Sequence, residues 1–451
     1  MTRRDVDELG FVALWPVHTA QARTGETHQS ARKDNHAEGT KSHACDQTKG
    51  ASRNNHTSDC KTSHLVAPLL WGVIQVATVT YMISSFDDYP IHQTWEPIAH
   101  PESGDPGHYD RYFFNGYNSD GSLFFALAMG LYPNRHVMDA AFSVVINGTQ
   151  INLRASARAA ADRKECTTIG PIRLEVAEPM KRHIITISSS EYNISAELEF
   201  TATSLPYEEP AFHVRNGNRT TMRYTRLTQL GSWSGWIKID DVEHRIESHA
   251  FKGSRDRSWG IRGVGERTQF GAPGTQLPQF YWLWAPVCFD GFGTVFDVNE
   301  YADGQRWHDS GALLDGSDTI VHAHNVSYHC EWQEQTRHME KFSLDYEFAR
   351  FTATLTFTPR VHFQMSGLGY LHPEWGHGMW KGESVSTRDQ FDLPVPNPLD
   401  MDFLHVQTLS DVYCTFSDGR EPQNGMGVLE TLVLGPYQPA GFTGLGDGYK
   451  S

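Results

Sequence analysis

The chain has 451 residues and a formal net charge of −16 at pH 7. That length allows two domains with sizeable cores, and the acidic balance argues against a nucleic-acid backbone as partner. Aromatic residues make up 12% of a chain that also carries 39 glycines and 22 prolines, the profile of a turn-rich β protein.

Residues 1–64 are rich in His, Thr, Ser, Asn, Lys and Arg and have no apolar period, so they are expected to be disordered. An apolar run follows at 65–81, interrupted by Pro68, Gly72 and Gln75 and barely long enough for a membrane span. It reads as a signal anchor, as a buried strand pair, or as translated upstream sequence with the functional chain starting at Met82. The third reading is favoured, because the stretch before the run is far longer than the basic region of an export signal. Stable membrane insertion is therefore not expected, with anchoring through 65–81 as the alternative, and the compartment is read as cytoplasmic.

The body begins with an aromatic and polar mixture at 108–117, read as a first strand packed on its neighbour at 122–132. Alternation would set Tyr109, Arg111, Phe113 and Asn115 on one face. Half-buried strands are predicted where Ile194, Ala196, Leu198 and Phe200 alternate with polar residues, and where Phe351, Ala353, Leu355 and Phe357 alternate with threonines. Hairpin turns are signalled at Asp120-Gly121, Asn147-Gly148, Asp290-Gly291, Asp303-Gly304 and Asp418-Gly419, because these pairs tolerate positive φ. A helical turn or two is expected at most, at 388–393 or near Asp139. The fold class is all-β: two consecutive antiparallel barrel or sandwich domains, 82–262 and 263–451, after a leader at 1–81. Cys166, Cys288, Cys330 and Cys414 are widely spaced in the body and read as reduced core residues.

No GxSxG, HExxH, GxxxxGK[ST] or post-strand GxGxxG motif occurs, which weakens hydrolase, zincin and nucleotide-dependent readings. Chemistry-bearing residues fall in three clusters. The first, at 253–262, gathers Asp256 with Arg255, Arg257 and Arg262 beside Trp259, and reads either as an orienting site or as a structural Arg/Asp network near the domain junction. In the second, Phe280, Trp282 and Trp284 share one face of a strand and Tyr281, Leu283, Ala285 and Val287 the other, giving an aromatic wall for a core or a ligand cavity. The third brings His372, Glu374, Trp375 and His377 together. There, hydrogen-bonded structure competes with an acid/base role for one histidine, and the irregular spacing makes a weak metal signal.

The string Asp256-Arg257-Ser258-Trp259-Gly260 resembles the Asp-His-Asn-Trp-Gly-type motif of the carotenoid 1,2-hydratase and AttH-like superfamily. The 88–93 opening and the 109–117 run are similar to a bacterial branch of the same group. The resemblance covers about residues 83–445 and implies two lipocalin-like β-barrels that act on or bind hydrophobic molecules, without a cofactor and without a metal. Of the motif, Asp256 and Trp259 match; together with the clusters above, the reading gives catalytic roles to Asp256 and Arg257, which would orient or polarise the ligand, with His372 or His377 handling a proton, and ligand contacts to Trp259, Arg262, Trp282, Trp284, Glu374 and Trp375. Where the hydratase motif has histidine this chain has Arg257, which stays protonated, so the family's hydration route is placed in doubt. The expected partner is a lipophilic small molecule of isoprenoid, steroid or polyketide type, bound near the junction. The alternative is a non-catalytic carrier or sensor.

Overall fold

A computed structural model describes residues 86, 90–266, 277–316 and 318–450. The expectations for the 1–81 leader, the start at Met82 and the Asp88-Tyr89 part of the opening motif lie outside the described residues.

The described chain is all-β, with only short 3-10 turns between strands, arranged as two antiparallel sheets of 14 and 10 strands. Five predicted Asn/Asp-Gly pairs all sit at turns between paired strands. At Asn147-Gly148, φ angles of 51° and 77° join Val137–Ile146 to Thr149–Arg158 in the tightest hairpin geometry.

The first sheet curls around a core of inward residues that includes Phe114, Leu153, Ile172, Phe200 and Trp233. Its far edge folds back until a Cβ placed on Gly170 would lie 3.2 Å from that of Ala155, so the barrel is nearly closed. The predicted alternation at 194–200 holds, with Ile194, Ala196, Leu198 and Phe200 in this core. The second sheet wraps a core that includes Tyr281, Leu283, Ala353, Leu355 and Phe357.

A third apolar cluster lies between the sheets and joins Phe113, Phe124 and Phe212 to Trp282, Trp284, Phe363 and Leu432. Strand Phe280–Trp284 is thus buried on both faces, with Tyr281 and Leu283 inward and the two tryptophans toward the other sheet. A polar chain crosses the same interface. Asn115 accepts from the Ser254 backbone N–H at 2.8 Å and donates to Gln407 Oε1 at 3.0 Å, and Gln407 donates to Glu430 at 2.6 Å.

Two local expectations are corrected. Residues 388–393 do not form a helical turn, because Ser384–Asp392 is a strand that pairs with Thr149–Arg158 at the edge of the first sheet. The second half of the chain therefore contributes to the first sheet. Asp139 likewise lies in strand Val137–Ile146, buried along most of its length, so its near-continuous apolar run is that of a covered strand. Among the described residues no helix is long and apolar enough to cross a membrane.

Candidate functional site

Strand Phe251–Ile261 carries the first predicted cluster, and its two-residue period divides it. Arg255 and Arg257 lie opposite Phe114 and Tyr112 on the barrel side, while Asp256 lies opposite Phe113 and Thr228 on the face toward the second sheet. Arg257 is spent on an ion pair with Asp110 and lies 4.1 Å over the Tyr112 ring. Trp259 is 42% exposed beside it. Asp256 and Arg257 therefore do not meet. Gly260 closes the motif for a geometric reason: its φ is +136°, and a Cβ there would come within 2.2 Å of the Arg223 carbonyl oxygen.

On the inter-sheet face the walls of a cavity of about 120 Å³ converge. The first sheet supplies Met222, Tyr224 and Arg226, and Arg262 follows it; the second supplies Phe280, Trp282, His405, Glu430 and Leu432. The segment from Gly369 to His377 covers it, with half-buried Gly263, Leu371 and His372 at the rim. The volume matches about one aromatic ring, so a longer ligand would extend through the rim.

Arg226 lies 4.5 Å over the Trp282 ring and 5.3 Å over Phe212. Its charge is taken up by Glu209, which accepts from Arg226 Nε and from Thr228 Oγ1, each at 2.6 Å. Burial pushes the Glu209 carboxyl up to about 7 against the pull of Arg226. Behind it, Asp297 accepts from Ser310 and pairs with His308, whose ring stacks 3.8 Å from Phe212.

Glu430 and His405 form the second polar group. Glu430 Oε1 accepts from Trp282 Nε1 at 3.0 Å and pairs with His405 Nε2 at 2.8 Å. Burial raises its carboxyl, but the His405 and Gln407 hydrogen bonds win and hold it below the usual range. A carboxylate on Nε2 makes that nitrogen the proton carrier and leaves Nδ1 as a lone pair. This Nδ1 is buried and has no hydrogen-bond partner, on a residue 2% exposed.

His377 is bound at both nitrogens. Nε2 donates to the Leu368 carbonyl at 3.0 Å, so Nδ1 must accept from Arg262 at 3.2 Å. Burial, with Arg111 and Arg262 nearby, drives its pKa well below the ordinary value, and it stays neutral. His372 Nδ1 accepts two backbone N–H groups, from Glu374 and Trp375, at 3.1 and 3.0 Å, and burial lowers its pKa to about 4. These contacts shape the loop. Glu374 is exposed and Trp375 stacks under Lys381, both away from the cavity wall. Trp284 lies behind it, donating to Thr228 at 3.3 Å.

Asp256 is half-buried. Burial raises its carboxyl pKa, opposed by Arg226, Arg111 and Arg262 and assisted by Glu430. Of the predicted residues, Arg262, Trp282, His372 and His377 line the cavity; Arg226, His405 and Glu430 were missed. A signal for them exists: Glu430 interrupts the alternation of Val428, Leu432 and Leu434, and a charge in the buried register of a strand needs a partner or a function.

A family model described as "Family of unknown function (DUF8625)" matches residues 83–443. The chain belongs to that family. No curated protein matches it. Similar solved structures include a protein assigned as AttH from Nitrosomonas europaea, at 14% identity and TM-score 0.44, covering 72% of this chain and 92% of that one. CghA is similar at 12% identity and TM-score 0.43, covering 73% and 89%. Kievitone hydratase from Nectria haematococca is similar at 9% identity and TM-score 0.43, covering 78% and 96%. No residue role passes across likenesses this distant.

Proposed function

We propose that the chain binds a hydrophobic small molecule of isoprenoid, steroid or polyketide type in the inter-sheet cavity, and moves a proton on it without a cofactor. The reaction is of the hydro-lyase or isomerase/cyclase kind. The observation that carries this reading is the unpartnered Nδ1 of His405 in the cavity wall, with Glu430 on the opposite nitrogen. A carboxylate-oriented imidazole is a general base. Asp256 sits on the same inter-sheet face, outside the cavity wall, and its raised carboxyl pKa suits it to hold a proton near the site. Met222, Phe280, Trp282 and Leu432 supply the apolar contact that orients the ligand. The cytoplasm is the compartment this reading assigns.

Native mass spectrometry of protein from its own host, with extraction and identification of any bound lipophile, names the compound class; turnover of that compound is then followed with wild type and His405→Gln. A co-purifying lipophile whose conversion is lost in the variant supports the proposal. A ligand that both proteins hold unchanged makes the protein a carrier, and repeated recovery of empty, inactive protein counts against the site.

A further inference from the structure

We infer that the cavity selects ligands bearing an acidic oxygen, a carboxylate, phenolate or enolate, and that Arg262 is the group that recognises it. This rests on the cavity being a lipophile site, as proposed above. Of the other arginines of the region, Arg226 is committed to Glu209, Arg257 to Asp110 and Arg154 to Asp389, while Arg111, 4.9 Å over the Tyr370 ring, lines a separate, smaller pocket and not this cavity. Arg262 has no carboxylate partner among the described residues. Among the described residues its side chain hydrogen-bonds to the Nδ1 of His377.

That partner orients the guanidinium without consuming its charge. The Leu368 carbonyl accepts from Nε2 of His377, which fixes the tautomer and makes Nδ1 a neutral acceptor. The Tyr109 ring lies 4.5 Å from the guanidinium carbon and the Tyr370 ring 5.9 Å, holding the fork between them. Glu430 does not turn toward Arg262, because Trp282, His405 and Gln407 occupy its oxygens. An oriented cation with unused donors in an apolar wall is completed by an anionic oxygen, which accepts charge-assisted and bidentate hydrogen bonds that a neutral isostere cannot match. The hydrocarbon part of such a ligand would lie on Phe280, Trp282 and Leu432.

The test is isothermal titration of the full chain with 2-naphthoate and with 2-naphthamide, equal in shape and different in charge. The acid is expected to bind roughly 10-fold or more tightly than the amide. Arg262→Gln should abolish the difference. His377→Asp, which gives Arg262 an internal carboxylate, should also shrink it; thermal melts confirm that both variants fold. Equal affinities of wild type for the two probes overturn the inference and leave the lipophile site standing. Failure of both probes to bind overturns the inference together with the reading it rests on. Since the wild-type comparison is decisive alone, poor folding of a variant leaves the test intact.

Discussion

His377 and His405 both pack edge-on against Tyr370, with ring centroids 4.3 and 4.7 Å away, yet they differ in what remains for a ligand. His377 has both nitrogens engaged inside the protein, and His405 keeps one free. His405→Gln is therefore expected to lower turnover by about 10²–10⁴-fold, the usual contribution of a general base. His377→Gln, which retains an acceptor for Arg262, should lower it far less; the comparison is made on kcat with the extracted ligand. Asp256 gives a stability prediction with a definite sign. Its folded pKa is raised, so the protonated form is favoured by folding, and its stabilisation is complete below the unfolded value and lost as pH rises through the folded one. Asp256→Asn should accordingly raise Tm near neutral pH by about 1–2 °C, and the gain should vanish on acidification below about pH 4. A gain that persists unchanged in acid would remove the cause assigned to it.

Strand Ser384–Asp392 ties the second half of the chain to the first sheet, and one buried charge depends on it. Arg154 is 3% exposed in its side chain and pairs with Asp389, while Asn152 donates to the same carboxylate at 2.7 Å. Asp389→Ala would leave a guanidinium buried without its counter-charge, at a cost of about 2 kcal/mol and a few degrees of Tm. Glu383→Ala, which breaks the exposed Arg158–Glu383 pair in the same region, should leave Tm essentially unchanged. Thermal denaturation of the two variants side by side checks the contrast. This strand was illegible as a strand because it is half-exposed at an edge and has no apolar alternation. The one at 194–200 was legible because one face is core and the other wet. The strand around Asp139 was obscured for the opposite reason, being covered on both faces.

Across the whole molecule, the hairpin turns, the antiparallel sheets and the double-faced wall at 280–284 could be read from residue period and turn chemistry, which are local. The site could not, because it is assembled by register between strands far apart in sequence. Asp256 and Arg257 look like one cluster in a string of letters and are separated by the pleat, whereas Arg226 meets the His405–Glu430 pair only when the sheets dock. The same docking implies that the sheets are not independent. A fragment ending at residue 262 would expose Phe113, Phe124 and Phe212 and leave strand Thr149–Arg158 unpaired at an edge. It is expected to aggregate, and co-expression of the remainder should restore solubility; a soluble, monomeric fragment by size-exclusion chromatography would contradict that.

The amide chain from Asn115 through Gln407 to Glu430 sets how the sheets align, since its donors and acceptors match in one relative position. Met222, Phe280, Leu371 and Leu432 line the cavity without taking part in it. Lineages that kept the amides could exchange apolar side chains of similar volume at these positions, so ligand preference could diverge among family members while the docked architecture and the imidazole behind it stayed constant.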